Sequence, residues 1–320
     1  MISTAGLDSS LLSRLADNSN TAKRQLDLAL QQQGTGKISD TCAGLGTGLR
    51  TSLDLRPTMQ HLQTWQNNID SAASRLDVTQ SALSQISAIA QDFYAKTNNI
   101  NGVGVSEVSS IAVTAKQALE QVAQLLNSKA GDLYVFAGQD TANPPVPNTN
   151  STVVAAALLA SDTAAPPFST TIGTAVPKVE VGDGQQLQVG LLANANTLST
   201  STAPTTGSYM RDVMRALATL ANLTPGPAAE ATAADVRTRL HSAIGAMADE
   251  TGALGDIQAG LATRKTTLAA TQTAASKQVS NAEDVDMAAT LTKISSLQTQ
   301  LQASYQLIAG AKSLSLVSYL

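Results

Sequence analysis

A heptad repeat in the first third of the chain constrains its fold more than any other feature. Apolar residues recur every seven positions from residue 62 onward, and a second series lies three residues after the first. Residues 58–100 contain no proline or glycine. Such a long repeat is typical of a coiled-coil helix, which we predict from residue 57 to about residue 96. Its predicted core residues are Leu62, Trp65, Ile69, Leu76, Leu83, Ile86 and Phe93.

Further helical patterns on both sides offer partners for this helix. A polar, glycine-bearing turn at 98–104 precedes apolar residues at three- and four-residue spacing, which predict a returning helix from residue 106 to about 130. The helical period resumes at residue 210, and an amphipathic segment covers 284–320. Only 3% of the residues are aromatic and 14% are charged, so burial has to be spread over long contacts between helices.

The segment between the helical regions has a different composition. It is rich in Pro, Thr, Ala, Asn and Gly, and we therefore predict no helix in it. Alternation in 178–181 and 187–191, around a glycine-rich turn at 182–184, predicts a β-hairpin. The expected fold is mainly α, with a long antiparallel coiled-coil rod formed by the N- and C-terminal regions and a small β-rich central insert.

Changes in pattern along the chain divide it into five predicted segments. They are an N-terminal helix and loop of an inner assembly domain (1–45), a helical hairpin rod (46–139), the central insert (140–208), returning rod helices (209–282) and a C-terminal amphipathic assembly helix (283–320).

Composition and motifs argue against nucleic-acid binding, metal binding and catalysis. The chain has 20 Lys plus Arg against 24 Asp plus Glu, a net charge of -4, which provides no basic surface for phosphates. One cysteine and two distant histidines do not indicate a zinc site. The Gly-Thr-Gly-Lys run at 34–37 has Gln31 and Ile38 where a phosphate loop needs Gly and Ser or Thr. We therefore expect no enzyme, no cofactor and no metal.

The sequence also indicates neither membrane insertion nor a cleavable leader. The longest apolar candidate, at 153–160, is far shorter than the roughly 18 residues of a spanning helix. The first residues lack the basic start and apolar stretch of a secretory signal peptide.

Short motifs at both ends of the chain resemble the flagellin superfamily. Near the N-terminus these are Met-Ile-Ser-Thr at 1–4 and Thr-Gly-Lys-Ile at 35–38, followed by Tyr-Val-Phe-Ala-Gly at 134–138. The C-terminal matches are Glu-Asp-Val-Asp-Met-Ala at 283–288, the glutamine-rich run at 297–305 and the closing Leu-Ser-Leu-Val-Ser-Tyr-Leu at 314–320. Within the superfamily, this ending is most similar to the hook-filament junction family (hook-associated protein 3).

The resemblance implies a structural subunit of the bacterial flagellum. Such a subunit is exported unfolded by the flagellar type III apparatus and polymerises outside the cell, with further copies of itself, flagellin and other hook-associated protein as partners. The resemblance also implies a cytosolic export chaperone bound to the C-terminal helix.

The terminal segments support an assembly role on physical grounds, because N-terminal leucines can pair with the apolar face of the last segment. The predicted assembly interface comprises Leu7, Leu11, Leu15, Leu26, Leu30, Met287, Leu291, Ile294, Leu301, Tyr305, Ile308 and Leu316.

Three other functions stay open at this point. The first is a filament flagellin of the same superfamily. The second is a surface adhesin on a helical stalk, which would place ligand binding in the central insert. An enzyme using Cys42 or a histidine ranks last, because no base lies near Cys42 in the sequence.

Overall fold

The computed structural model of the chain describes residues 4–100, 105–160, 166–199 and 207–317. These ranges form seven α-helices and two small antiparallel hairpins. The helices are α1 (Thr4–Thr35), α2 (Gly48–Asn98), α3 (Val105–Leu126), α4 (Ser151–Ala160), α5 (Tyr209–Ala221), α6 (Ala228–Glu283) and α7 (Met287–Val317). The strands are β1 (Lys129–Ala130), β2 (Leu133–Tyr134), β3 (Lys178–Gly182) and β4 (Gln185–Gln188). The prediction of a mainly helical fold with a small β component is confirmed.

The chain divides into two compact units. The first unit comprises Met1–His61 and Ala270–Leu320, and the second comprises Leu62–Ala269. Helices α1 and α7 belong to the first unit, whereas α2 and α6 contribute residues to both. These units are defined by spatial contacts, and the first combines both ends of the chain, whereas the five predicted segments are consecutive in the sequence. The five-segment division therefore stays a prediction.

Burial in the second unit follows the heptad repeat of α2. Trp65 is half-buried against a large hydrophobic cluster that also contains buried residues of α3, α5 and α6. Two series of residues at heptad spacing form one stripe on a helix, and that stripe can be buried against neighbouring helices. The other predicted core residues are all buried in this cluster, namely Leu62, Ile69, Leu76, Leu83, Ile86 and Phe93.

Helix α2 begins earlier than the repeat predicts. Its first residue is Gly48, and Pro57, the expected start, lies inside the helix. An interior proline removes one backbone hydrogen bond and costs about 3 kcal/mol. The turns before the proline are held by a tertiary contact, because Ser52 and Arg56 both donate hydrogen bonds to Glu283 at the end of α6.

Helix α3 ends before the position that its apolar spacing predicts. The expected end is about residue 130, but the helix stops at Leu126. Residues 129–130 instead form strand β1, which pairs with β2. The chain reverses between the two strands at Gly131, where φ is 62°. A glycine adopts this left-handed conformation readily because it has no Cβ.

The prediction that the central insert contains no helix is wrong, because α4 lies within it. The segment that forms α4 has no proline or glycine. Asn150 caps its N-terminus, with Oδ1 accepting hydrogen bonds from the backbone nitrogens of Thr152 at 3.0 Å and Val153 at 3.3 Å. The helix packs against α3 and α5 and buries Val154 and Leu158. The average composition of the insert hid this short apolar run.

We expect Asn150→Ala to destabilise the second unit by about 1 kcal/mol, because the first turn of α4 loses its cap. Urea unfolding followed by circular dichroism measures this loss. Thr152→Ala is the matched control, since Thr152 is exposed on the same helix and caps nothing. Equal unfolding midpoints for Asn150→Ala and the unmodified protein would contradict the assignment of this cap.

The predicted hairpin of the insert is confirmed. Strands β3 and β4 pair antiparallel, with β4 beginning earlier than expected. The exposed residues Asp183 and Gly184 form the turn, and Gly184 has a φ of 65°. This hairpin belongs to the second unit.

Candidate assembly interface

Helices α1 and α7 pack against each other along the first unit. An antiparallel β-bridge between Lys37 and Asp284 joins the C-terminal end of α1 to the N-terminal end of α7, so the two helices run in opposite directions. Residues with low exposure recur on both helices at alternating three- and four-residue steps, the spacing of a coiled-coil seam. On α1 they are Leu15, Ser19, Ala22, Leu26 and Ala29, and on α7 they are Thr290, Ile294, Leu297, Leu301, Ser304 and Ile308.

The structure divides the predicted assembly residues into two groups. Leu15, Leu26, Ile294, Leu301 and Ile308 lie in the seam. In contrast, Leu30, Met287, Leu291 and Tyr305 are exposed. The predictions for Leu7, Leu11 and Leu316 lie outside the residues whose side chains the structure describes. The predicted set therefore combines a contact within the chain with a surface that faces solvent, and its part in assembly stays a prediction.

Large apolar side chains are exposed on both helices of the pair. Two further examples are Leu28 on α1 and Leu307 on α7, and Leu307 is 62% exposed. Residues two positions apart on a helix point about 200° away from each other, so these side chains are exposed on more than one side of the helix pair. We call this group the outer surface: Leu28, Leu30, Met287, Leu291, Tyr305 and Leu307. Leu307 was missed in the predicted interface because it lies one position before the seam residue Ile308.

A polar cluster, the Glu283 junction, lies where α1, α2, α6 and α7 begin or end. It comprises Lys37, Ser52, Arg56, Glu283 and Asp284. The Glu283 carboxylate accepts hydrogen bonds from the Ser52 hydroxyl and from Arg56 Nη2 at 2.6 Å. Lys37 Nζ lies 3.4 Å from Glu283 Oε2 and 2.6 Å from Asp284 Oδ1. The backbone contributes as well, since Ile38 N donates to Glu283 O at 2.7 Å.

The electrostatics of the junction favour its ionised form. Hydrogen bonds from Ser52 and Arg56 lower the pKa of Glu283 from 4.5 to about 2. The contact with Asp284 raises the pKa of Lys37 above its ordinary value. The nearby Asp286 has a different role, because its Oδ1 accepts a hydrogen bond from Ala288 N at 2.9 Å and caps the N-terminus of α7.

This pKa shift predicts a pH-dependent contribution to stability. Because the folded-state pKa of Glu283 lies below its unfolded value, the contribution is complete above pH 4.5 and is lost as the pH falls toward about 2. We expect Glu283→Gln to lower the urea midpoint of the first unit at pH 7, with the difference from the native protein disappearing near pH 2. Asp286→Asn, which alters the cap of α7, is the control. A difference that does not change between pH 7 and pH 2 would contradict this role.

Comparison with known protein families identifies the family to which the chain with this pair of helices belongs. The family model of the bacterial flagellin N-terminal helical region matches residues 2–104. The model of the bacterial flagellin C-terminal helical region matches residues 238–320. The chain belongs to the flagellin family. Its matched regions contain α1 and α7, and thus both helices of the seam.

A solved structure also resembles this flagellin-family protein. It is a protein of Vibrio parahaemolyticus, provisionally described as a flagellar hook-associated protein. The match covers 76% of this chain and 99% of that chain, with 12% sequence identity and a TM-score of 0.59, so it shows a shared fold. No curated protein sequence matches the chain.

Membership of the flagellin family establishes the class of function. Flagellins are structural, non-enzymatic proteins of the extracellular flagellum, and they polymerise with themselves and with other flagellar components. Across the described residues, no helix is both long and apolar enough to cross a membrane. The same part of the chain contains no group of His, Cys, Asp and Glu suited to a metal ion.

Proposed function

We propose that this flagellin-family protein is the junction subunit between the hook and the filament of the flagellum. The ending of the chain at 314–320 supports this choice, because it is most similar to the junction family. The fold shared with the Vibrio protein agrees with it. A filament flagellin is the alternative, since the helical regions matched by the family models are common to the superfamily.

The observation that carries an assembly role is the exposure of apolar residues on both α1 and α7. The seam already buries one face of each helix, whereas Leu291, Tyr305 and Leu307 on α7 remain exposed. A further copy, or a neighbouring flagellar protein, would remove these side chains from water. Low charge suits such packing, because subunits can meet on several sides without strong repulsion between like charges.

The proposal includes a route to the assembly site and a temporary partner. The chain passes unfolded through the flagellar type III apparatus and is deposited outside the cell. In the cytosol, an export chaperone binds the C-terminal helix and covers its apolar residues until export. After export, α1 and other subunits bind the same helix, and the permanent partners are flagellin and hook-associated protein.

Antibody labelling of intact flagella tests the junction role. The antibody is raised against the central insert, which lies outside the regions matched by the flagellin models. A short labelled band between hook and filament is the expected result. Labelling along the whole filament would overturn the junction role in favour of filament flagellin, and labelling only on the cell surface would overturn both.

A further inference from the structure

The seam between α1 and α7 does not by itself determine how the two helices are aligned. Ile294, Leu301 and Ile308 occupy the same heptad position on α7, and the opposing residues on α1 include the small Ala22 and Ala29. A displacement by one heptad moves a helix about 10.5 Å along its axis. Such a shift places similar side chains opposite one another, so apolar burial alone distinguishes the alternatives poorly.

The Glu283 junction differs from the seam because it occurs once and has no repeat. Ile38 N donates to Glu283 O at 2.7 Å, and Val285 N donates to Gly36 O at 3.0 Å. These two backbone hydrogen bonds form in a single alignment of the segment after α1 with the segment before α7. Lys37 adds its contact with Asp284 in the same alignment.

The carboxylate of Glu283 makes a misaligned junction unfavourable. Its side chain is only 7% exposed, and Arg56 Nη2 lies 2.6 Å from Oε1. In a shifted pair, Lys37 moves away with α1 and the local backbone hydrogen bonds are broken. Arg56 belongs to α2 and stays with Glu283, but the buried carboxylate loses its second cationic partner, Lys37, which destabilises the shifted pair.

We propose that the Glu283 junction sets the register of α1 against α7, with Lys37 as its positioning residue. The inference rests on the proposed assembly role and deepens it. The outer surface takes Leu28 and Leu30 from α1 and the remaining residues from α7, so its pattern depends on register. Only the register set by the junction presents the surface that a neighbouring subunit binds.

Disulfide trapping in the full-length protein tests this proposal. Cys42→Ser first removes the native thiol. Ala22→Cys is then combined with Leu301→Cys, which lies in the same buried cluster and reports the observed register. Pairs with Ile294→Cys and Ile308→Cys report shifts of one heptad in the two directions. These three positions are equivalent in the repeat, so each change removes a comparable apolar side chain.

With the junction intact, we expect the pair at 22 and 301 to form its intramolecular disulfide about tenfold more than either shifted pair. Lys37→Met should reduce this preference, because it removes the side-chain contact with Asp284 that is made in the observed alignment. Lys37→Arg should keep the preference, because it retains the positive charge. Lys96→Met is the matched control, since it removes an exposed ion pair with Asp92 in the second unit.

Two results would overturn the register proposal. One is an undiminished preference for the pair at 22 and 301 in the Lys37→Met variant. The other is the absence of that disulfide while the junction is intact. The yields are measured on unpolymerised protein and do not depend on assembly. Failure of the unmodified protein to enter flagella would instead contradict the proposed function and leave the register result standing.

Discussion

We expect deletion of residues 291–320 to abolish incorporation of the chain into flagella and to leave the second unit folded. The deletion removes Ile294, Leu297 and Leu301 from the seam, together with half of the outer surface. The core of the second unit lies within Leu62–Ala269 and loses no residue. Immunoblots of purified flagella measure incorporation, and the urea unfolding transition of the truncated protein reports the second unit. Normal incorporation of the truncated chain would contradict the assembly role of α7.

Point variants separate assembly from secretion. Leu291→Lys with Leu307→Lys places two charges on the outer surface and leaves the seam intact, because both residues are exposed. We expect the secreted protein to accumulate in the medium, with incorporation into flagella reduced by about tenfold or more, because each buried charge would need a partner. Leu133→Lys is the matched control, since Leu133 is an exposed leucine of the second unit. Equal incorporation of control and double variant would contradict the role of the outer surface.

Phe136→Ala should destabilise the second unit by about 3–5 kcal/mol, the usual range when a buried aromatic ring is removed. Phe136 has no exposed surface and belongs to the large hydrophobic cluster. Its backbone oxygen also accepts a hydrogen bond from Ala193 N at 3.1 Å, which ties the insert to this core. The loss is measured as a shift of the urea midpoint of the second unit.

The control for the cavity that Phe136→Ala creates is Leu133→Ala, three positions earlier in the chain. Leu133 is 47% exposed, so its truncation leaves no closed cavity. We expect its unfolding midpoint to stay close to that of the unmodified protein. If both variants lose the same stability, the cluster around Phe136 is not the core of this unit.

The helices of this protein could largely be predicted because their signal is local and periodic. The core residues of α2 follow from heptad spacing alone, and the hairpin at 178–188 follows from alternation around a glycine turn. Helix α4 was missed because a proline-rich composition, averaged over the insert, outweighed the short run at 151–160. The cap residue Asn150 was the local signal that would have located it.

The candidate site was predictable only in part. The apolar spacing of α1 and α7 identified residues of both helices, but it could not say which of them face each other and which face solvent. That division depends on the partner helix, which lies at the other end of the chain. Ser52 and Glu283 are separated by 231 positions, so their contact follows from the tertiary structure and not from any local pattern.

The exposed turn at Asp183 and Gly184 offers a place to add foreign sequence. It is a two-residue connection at the tip of a hairpin in the second unit, distant along the chain from both α1 and α7. Loop tips built from small or polar residues tolerate additions because little buried structure depends on them. An epitope tag or a fluorophore attachment site introduced there would make the protein visible on living cells while α1 and α7 stay unmodified.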